Sequence, residues 1–101
     1  MRRGEVYEYT VGSQRARIVI VSATRYNPGR ATFAVVLGAD VPPPPVAVLV
    51  PTTDADPVRG TIDASRLRPV DPSAVRAGMG RLTPDTLRQM DRALRTYFDL
   101  L

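Results

Sequence analysis

Residues 4–22, GEVYEYTVGSQRARIVIVS, decide the fold of this 101-residue chain. Apolar and polar side chains alternate over residues 4–11, which predicts a half-buried first strand at a sheet edge or seam. After a three-residue turn, residues 17–22 form a run of β-branched residues that is too short for a helix. This run predicts a central strand that is buried on both faces. Arg15 and Arg17 stand at its start, either as a solvated strand entrance or as a site that faces an anion.

Strand patterns continue through the middle of the chain. Four consecutive prolines at residues 42–45 cannot donate to a sheet ladder, and inside so short a chain they suit a rigid connector better than a recognition ligand. Residues 71–80 begin with an Asp-Pro pair typical of a helix start, but two glycines limit this corner element to a helical turn or two. Three further strands are predicted, at residues 32–37, 46–50 and 60–70, the last of them bent.

A helix is predicted at the end of the chain. Thr83 is its N-cap, Pro84 occupies its first turn, and Asp85 lies beside its positive end. Its apolar stripe, expected to pack on the sheet, consists of Leu87, Met90, Leu94, Tyr97, Phe98 and Leu101. Five strands followed by a helix, without β-α-β alternation, predict a single domain over residues 1–101 with a compact antiparallel α+β fold or a partly open barrel.

The composition narrows the possible chemistry. The chain has no cysteine and no histidine, which excludes disulfides, thiolate nucleophiles and imidazole acid–base catalysis. All fourteen basic residues are arginine, against ten acidic residues, which gives a net charge of +4 and favours an anionic partner such as nucleic acid. Because the chain shows no leader and no membrane-length apolar run, we expect a cytoplasmic protein without membrane contact.

Sequence motifs for cofactors and metal ions are weak. No phosphate-binding glycine loop or calcium-binding spacing is found, so no cofactor and no metal are expected. The acidic residues in the stretch 52–56, TTDAD, could hold a hard cation. Two carboxylates are few ligands for such a site, so a solvated loop is the favoured interpretation.

Four stretches in order resemble the MazF/PemK (Kid) toxin family of type II toxin–antitoxin systems. They are MRRGEVY at the start, RIVIVSATRYN from residue 17, GTIDASRLRPVD from residue 60, and GRLTPDTLRQMDRALRTYFDL from residue 80. Each stretch alone is a β pattern or a capping signal. Together they span nearly the whole chain.

The resemblance implies a fold and an activity. Proteins of this family are SH3-like antiparallel barrels with a C-terminal helix, and they act as homodimers. They cut single-stranded RNA without a metal ion, because the 2′-hydroxyl of the substrate attacks the adjacent phosphate. Such cleavage mainly needs positive charge and donors aimed at the developing oxyanions. An acidic cognate antitoxin is the implied protein partner.

The catalytic positions of the family are altered in this chain. When the chain is aligned with the family by counting back from Ser22 without a gap, Ala16 falls at the position of the family's catalytic arginine. A one-residue deletion in the alignment would place Arg17 there instead. Asp40 stands where the family has a hydroxyl after the third strand, and Ser65 stands in place of a glutamate. Either the site is rebuilt from Arg15 or Arg17 with Asp40 and Ser65, or the scaffold is kept for binding alone.

The remaining expectations concern binding. The candidate RNA contacts are Gln14, Arg25, Tyr26, Arg30 and Arg66. Tyr26 could stack on an RNA base, although a half-buried strand tyrosine is the commoner situation. Two other functions stay open: a non-nucleolytic inhibitor that acts through its C-terminal end, as the related CcdB proteins block DNA gyrase, and an inactive relative that binds RNA or an antitoxin.

Overall fold

A computed structural model describes residues 1–38 and 46–100 of the chain. Two short 3-10 turns, Thr24–Tyr26 and Pro72–Ala74, lie between the main elements of these residues. The predicted proline connector at 42–45 falls outside the described residues, as does Asp40. The strands and the helix are β1 Glu5–Val11, β2 Gln14–Ile20, β3 Thr32–Leu37, β4 Leu49–Pro51, β5 Thr61–Pro69, β6 Val75–Arg81 and α1 Pro84–Tyr97.

The six strands form one antiparallel sheet in the order β4-β5-β3-β2-β1-β6. This arrangement with α1 confirms the predicted antiparallel α+β fold, and β2 is central as expected. β1 was expected at an edge or a seam, but it lies inside the sheet because β6 pairs with its outer side. Within the described residues, β4 and β6 are the two edge strands.

Apolar side chains are buried on both faces of the sheet. On one face α1 contributes Met90 and Ala93, which pack in the same cluster as Val19 and Ile62. On the other face Ile18 belongs to a second cluster built around the ring pair of Tyr9 and Phe33. Burying one such aliphatic side chain stabilises the fold by about 1.5–3 kcal/mol. The double burial of β2 explains why its sequence is apolar at consecutive positions.

The sixth strand was not predicted. We expected a helical turn or two over residues 71–80, and the structure has one 3-10 turn, capped by the carboxylate of Asp71, which accepts from Ser73 N. The chain then enters β6, which carries Gly78 and Gly80 and buries little apolar surface. Its pairing with β1 includes two register shifts, so tertiary pairing rather than local pattern determines this strand.

β4 and the loop that follows it also differ from expectation. The strand was predicted at residues 46–50, but a turn closed by Leu49 N donating to Val46 O delays its start to Leu49. In the following loop, Asp56 was expected to be solvated, and only 9% of it is exposed. A buried carboxylate in a loop requires hydrogen-bond partners.

Asp56 ties this loop to the start of α1. Its carboxylate accepts from Thr83 N at 2.8 Å and from Thr86 Oγ1 at 2.6 Å. It also accepts from Thr53 N at 2.8 Å and from Thr53 Oγ1 at 3.1 Å. Burial, the largest influence, raises the pKa of Asp56, but the hydrogen bonds from Thr86, Thr53 and Thr83 outweigh it and leave the pKa below its ordinary value. Asp56 therefore has a structural role, because its carboxylate holds the loop to the start of α1 by hydrogen bonds.

α1 has the predicted N-terminus and a different end. The side chain of Thr83 accepts from Thr86 N, and Pro84 occupies the first turn. Tyr97 and Phe98 were expected to pack on the sheet, but they are 47% and 54% exposed. The helix ends at Tyr97, and Asp99 follows it with a positive φ. No helix in the two described segments has the length and apolar character needed to cross a membrane.

Candidate active site

Arg15 and Arg17 lie inside β2 rather than before it, because the strand begins at Gln14. Side chains two positions apart share a face of a strand, so both arginines are on one side and Ala16 is on the other. Across the hairpin, Arg17 is opposite Glu8 and Arg15 is opposite Thr10. Directly opposed residues share a face, so these four side chains form one polar surface.

This surface lines an open cleft of about 580 Å³. β6 contributes Arg76 to the lining, in the position that follows Val75 in its pairing with Tyr9. The floor on the side of β3 includes Val36, which is the register partner of Arg17. The residues that line the cleft are Glu8, Tyr9, Thr10, Arg15, Ala16, Arg17, Val36, Gly38 and Arg76.

Arg17 is the anchored arginine of the cleft. It is half-buried, and its Nη1 donates to the backbone oxygen of Arg59 at 2.8 Å. The next residue, Gly60, exchanges hydrogen bonds with Thr52, whose Oγ1 accepts from Gly60 N at 3.0 Å. A side chain at Gly60 would meet Leu37 O, so glycine allows the loop to approach β3 closely. The loop between β4 and β5 thus fixes the Arg17 side chain at one point.

The charges of the cleft suit an anion. Among the described residues, its lining includes the guanidinium groups of Arg15, Arg17 and Arg76 and one carboxylate, that of Glu8. Arginine stays charged at every relevant pH, and its planar donor fork matches the oxygens of a phosphate. The arrangement can bind a phosphodiester with its guanidinium groups, and the carboxylate can accept a proton.

Ser65 lies apart from this cleft. It occupies the part of β5 where the pairing with β3 shifts register, and its hydroxyl donates to Asp63 at 2.5 Å. Arg66 Nε lies 3.3 Å from the other oxygen of the same carboxylate. Asp63 is therefore the centre of a local network on β5. The described lining of the cleft does not include Ser65 or Arg66.

The other predicted RNA contacts separate into two places. Gln14 is exposed at the start of β2, next to Arg15 in sequence. Arg25, Tyr26 and Arg30 are exposed beyond the far end of the same strand. The last residue of β2, Ile20, lies five positions after Arg15, which corresponds to about 17 Å of strand. These three side chains therefore do not line the same cleft.

Sequence reasoning missed Glu8, Thr10 and Arg76 as cleft residues. A signal for the first two was present, because a two-residue turn at residues 12 and 13 sets the register that pairs Glu8 with Arg17. Arg76 could not be placed without β6. In the described segments, no three acidic side chains come close enough together to hold a metal ion.

Comparisons with known proteins agree with this fold. The sequence profile of a family described as the PemK-like, MazF-like toxin of type II toxin–antitoxin systems matches residues 2–98. Among curated proteins, none matches the sequence significantly.

Several solved structures share the whole architecture. An endoribonuclease in complex with its cognate antitoxin, from a mycobacterial species, is 21% identical with a TM-score of 0.90, covering 100% of this chain and 97% of that one. A second mycobacterial endoribonuclease is 20% identical with a TM-score of 0.86, covering 99% and 92%. MazF in the MazE-MazF complex of Deinococcus radiodurans is 17% identical with a TM-score of 0.81, covering 100% and 97%. At these identities the likeness supports the fold.

Proposed function

The chain belongs to the PemK-like, MazF-like toxin family of type II toxin–antitoxin systems, and we propose that it is an endoribonuclease that cuts single-stranded RNA without a metal ion. The observation that carries this proposal is the cleft whose described lining joins Arg15, Arg17 and Arg76 to the carboxylate of Glu8. Similar structures described as endoribonucleases support the same reading.

The proposed reaction uses the substrate's own nucleophile. The 2′-hydroxyl oxygen attacks the adjacent phosphorus, the bond from phosphorus to the 5′ oxygen breaks, and the products carry a 2′,3′-cyclic phosphate and a 5′-hydroxyl. Glu8 accepts the proton of the 2′-hydroxyl, and solvent water returns a proton to the leaving oxygen. Arg15 and Arg17 stabilise the charge that develops on the phosphate oxygens.

Arg17 has the central binding role in this proposal. Its contact with Arg59 O occupies one donor of the guanidinium, which carries five donors in total. The side chain is therefore held while other donors stay available to a phosphate. Catalytic roles for Ser65 and Asp40 stay predictions: the hydroxyl of Ser65 donates to Asp63, and Asp40 lies outside the described residues.

We propose an acidic antitoxin as the protein partner and a homodimer as the working unit, both in the cytoplasm. The net charge of +4 suits an acidic segment, which would fold as it binds across the basic surface. Similar structures that contain a cognate antitoxin or MazE support such a partner.

Cleavage of a long RNA in the presence of EDTA tests the activity. The pure protein should produce discrete fragments with 2′,3′-cyclic phosphate ends, and the added chelator should leave the rate unchanged. A nuclease that yields 3′-hydroxyl ends, or that is inactive until a divalent metal is added, would refute the proposed chemistry.

A second function rests on the C-terminal end. Tyr97, Phe98 and Leu100 are 47%, 54% and 62% exposed, so an apolar surface is open to a partner there. A non-nucleolytic inhibitor of the CcdB kind would use such an end. Deleting residues 99–101 should then abolish growth inhibition without changing the circular dichroism spectrum, whereas an RNase should keep its toxicity. Expression that fails to slow growth would indicate the inactive relative.

A further inference from the structure

The 3-10 turn that follows β2 presents an aromatic ring to solvent. Tyr26, the last residue of this turn, is 60% exposed. The guanidinium carbon of Arg25 lies 4.9 Å from the ring centroid, which is within the range of a cation–π contact. We refer to Arg25, Tyr26 and the nearby exposed Arg30 as the Tyr26 platform.

The backbone beneath the Tyr26 platform is held by buried hydrogen bonds. Asn27 is only 5% exposed, and its Nδ2 donates to Met1 O at 2.9 Å and to Ser22 O at 3.3 Å. Ser22 Oγ donates to the side-chain oxygen of Asn27 and accepts from Thr32 N. The turn also closes through Tyr26 N, which donates to Ala23 O. Because the backbone is already fixed and holds the ring at the surface, little entropy is lost in ordering this turn when a ligand binds.

The charge of the Tyr26 platform favours a nucleic acid. The guanidinium group of Arg25 lies over the exposed ring of Tyr26, and Arg30 is exposed four residues further along the chain. Arg2 adds an exposed positive charge to the segment that is tied to this turn through Met1 O. Unpaired RNA bases stack on tyrosine rings and arginine planes, while nearby arginines contact the phosphates. An acidic peptide would use the guanidinium groups but would not require the ring.

We propose that the Tyr26 platform binds an unpaired base and its neighbouring phosphates in RNA, as a second RNA site separate from the cleavage cleft. The proposal rests on the proposed function for its choice of RNA as substrate. Ile18, Val19 and Ile20 are buried at the platform end of β2, and about 17 Å of strand separate Arg15 from Ile20, so the second site engages nucleotides beyond those at the cut.

Binding of an RNA that cannot be cleaved tests this site. In an oligonucleotide methylated at every 2′-oxygen, the nucleophile is blocked, so affinity is measured whether or not the protein is a nuclease. With an oligonucleotide of about 16 nucleotides, Tyr26→Ala should weaken binding at least about five-fold, while Tyr26→Phe should bind like the wild type. Arg25→Ala should reduce the slope of log affinity against log salt by about 0.7.

Two comparisons make the result specific. Tyr97→Ala removes a comparably exposed tyrosine from the end of α1, and should leave RNA binding unchanged. An oligonucleotide of about 4 nucleotides is long enough for one site only. We expect it to bind in the cleft, and therefore to bind wild type and Tyr26→Ala with equal affinity. The melting temperature of Tyr26→Ala should match that of the wild type, because the ring is exposed.

The proposal is overturned if wild type and Tyr26→Ala bind the long oligonucleotide with equal affinity, or if Tyr97→Ala weakens RNA binding as much as Tyr26→Ala does. It is also overturned if Tyr26→Ala weakens the binding of an acidic peptide and leaves RNA binding unchanged. Failure of the proposed function gives a different pattern. If the wild type does not cut RNA but Tyr26→Ala binds RNA more weakly, the second site is supported and the proposed nuclease activity is refuted.

Discussion

Replacing Asp56 with alanine is expected to destabilise the fold by about 3 kcal/mol. The carboxylate accepts from Thr53, Thr83 and Thr86, and the donors of Thr83 and Thr86 belong to the start of α1. Thr53 is exposed, so its donors regain water in the variant, whereas Thr86 is 1% exposed. The donors of the half-buried Thr83 and the buried Thr86 therefore lose their acceptor, and each donor left unsatisfied costs about 1–3 kcal/mol.

The loss is large against the total stability of such a domain, which is about 5–15 kcal/mol. Since 1 kcal/mol corresponds to about 4–8 °C at this chain length, the melting temperature should fall by about 12–24 °C. Circular dichroism during thermal and urea unfolding measures both quantities. The stability of a short loop thus depends on one carboxylate that bridges it to a helix.

Asp54→Ala provides the matched control, because Asp54 lies in the same loop and pairs with Arg59. The side chains of this pair are 87% and 75% exposed. Exposed ion pairs contribute little, so Asp54→Ala should cost less than about 0.5 kcal/mol. If the two variants unfold within about 0.5 kcal/mol of each other, Asp56 does not hold the helix to the loop and the reasoning fails.

Three further predictions concern stability. The pKa of Asp56 is lower in the folded protein than its ordinary value of 3.8, so its contribution is complete above that pH and is lost as the pH falls below it. The difference in urea stability between wild type and Asp56→Asn should therefore narrow below about pH 4, and a constant difference would contradict this. Gly60→Ala places a Cβ 2.1 Å from Leu37 O and should cost more than about 3 kcal/mol, whereas Gly12→Ala meets nothing within 4 Å and should cost about 1 kcal/mol; equal melting temperatures for the two would be contrary evidence. Tyr9→Phe removes the hydroxyl that accepts from Asp71 N at 2.8 Å and should cost about 1 kcal/mol in the same assay, with no change expected if that bond is irrelevant.

The fold was predictable where local pattern and tertiary structure agree. The apolar runs of β2 and β3 are visible in the sequence because side chains of both strands pack in clusters on both faces of the sheet. The capping signals of α1, Thr83 followed by Pro84, act within one helical turn and also survive in the structure. In contrast, β6 exposes most of its residues, so its pairing with β1 leaves no periodic signal.

The candidate site was predictable only in part. Arg15 and Arg17 stood out as charges beside a buried strand, and the structure places both in the cleft. Arg76 joins them only through β6, and the contact of Arg17 with Arg59 O spans forty-two residues of sequence. Long-range contacts of this kind have no local sequence signature, which is also why Asp56 was expected to be solvated.

The most direct test of the proposed nuclease is the cleavage rate of the variant Arg15→Ala/Arg17→Ala on single-stranded RNA in EDTA. Removing a donor to a developing oxyanion typically lowers the rate about 100- to 1,000-fold, so the double variant should lose at least about 100-fold. Arg92→Ala/Arg95→Ala, which removes two exposed arginines from α1, should cut RNA at the wild-type rate. Unchanged cleavage by the Arg15/Arg17 variant, or an equal loss in both double variants, would contradict the assignment of the cleft.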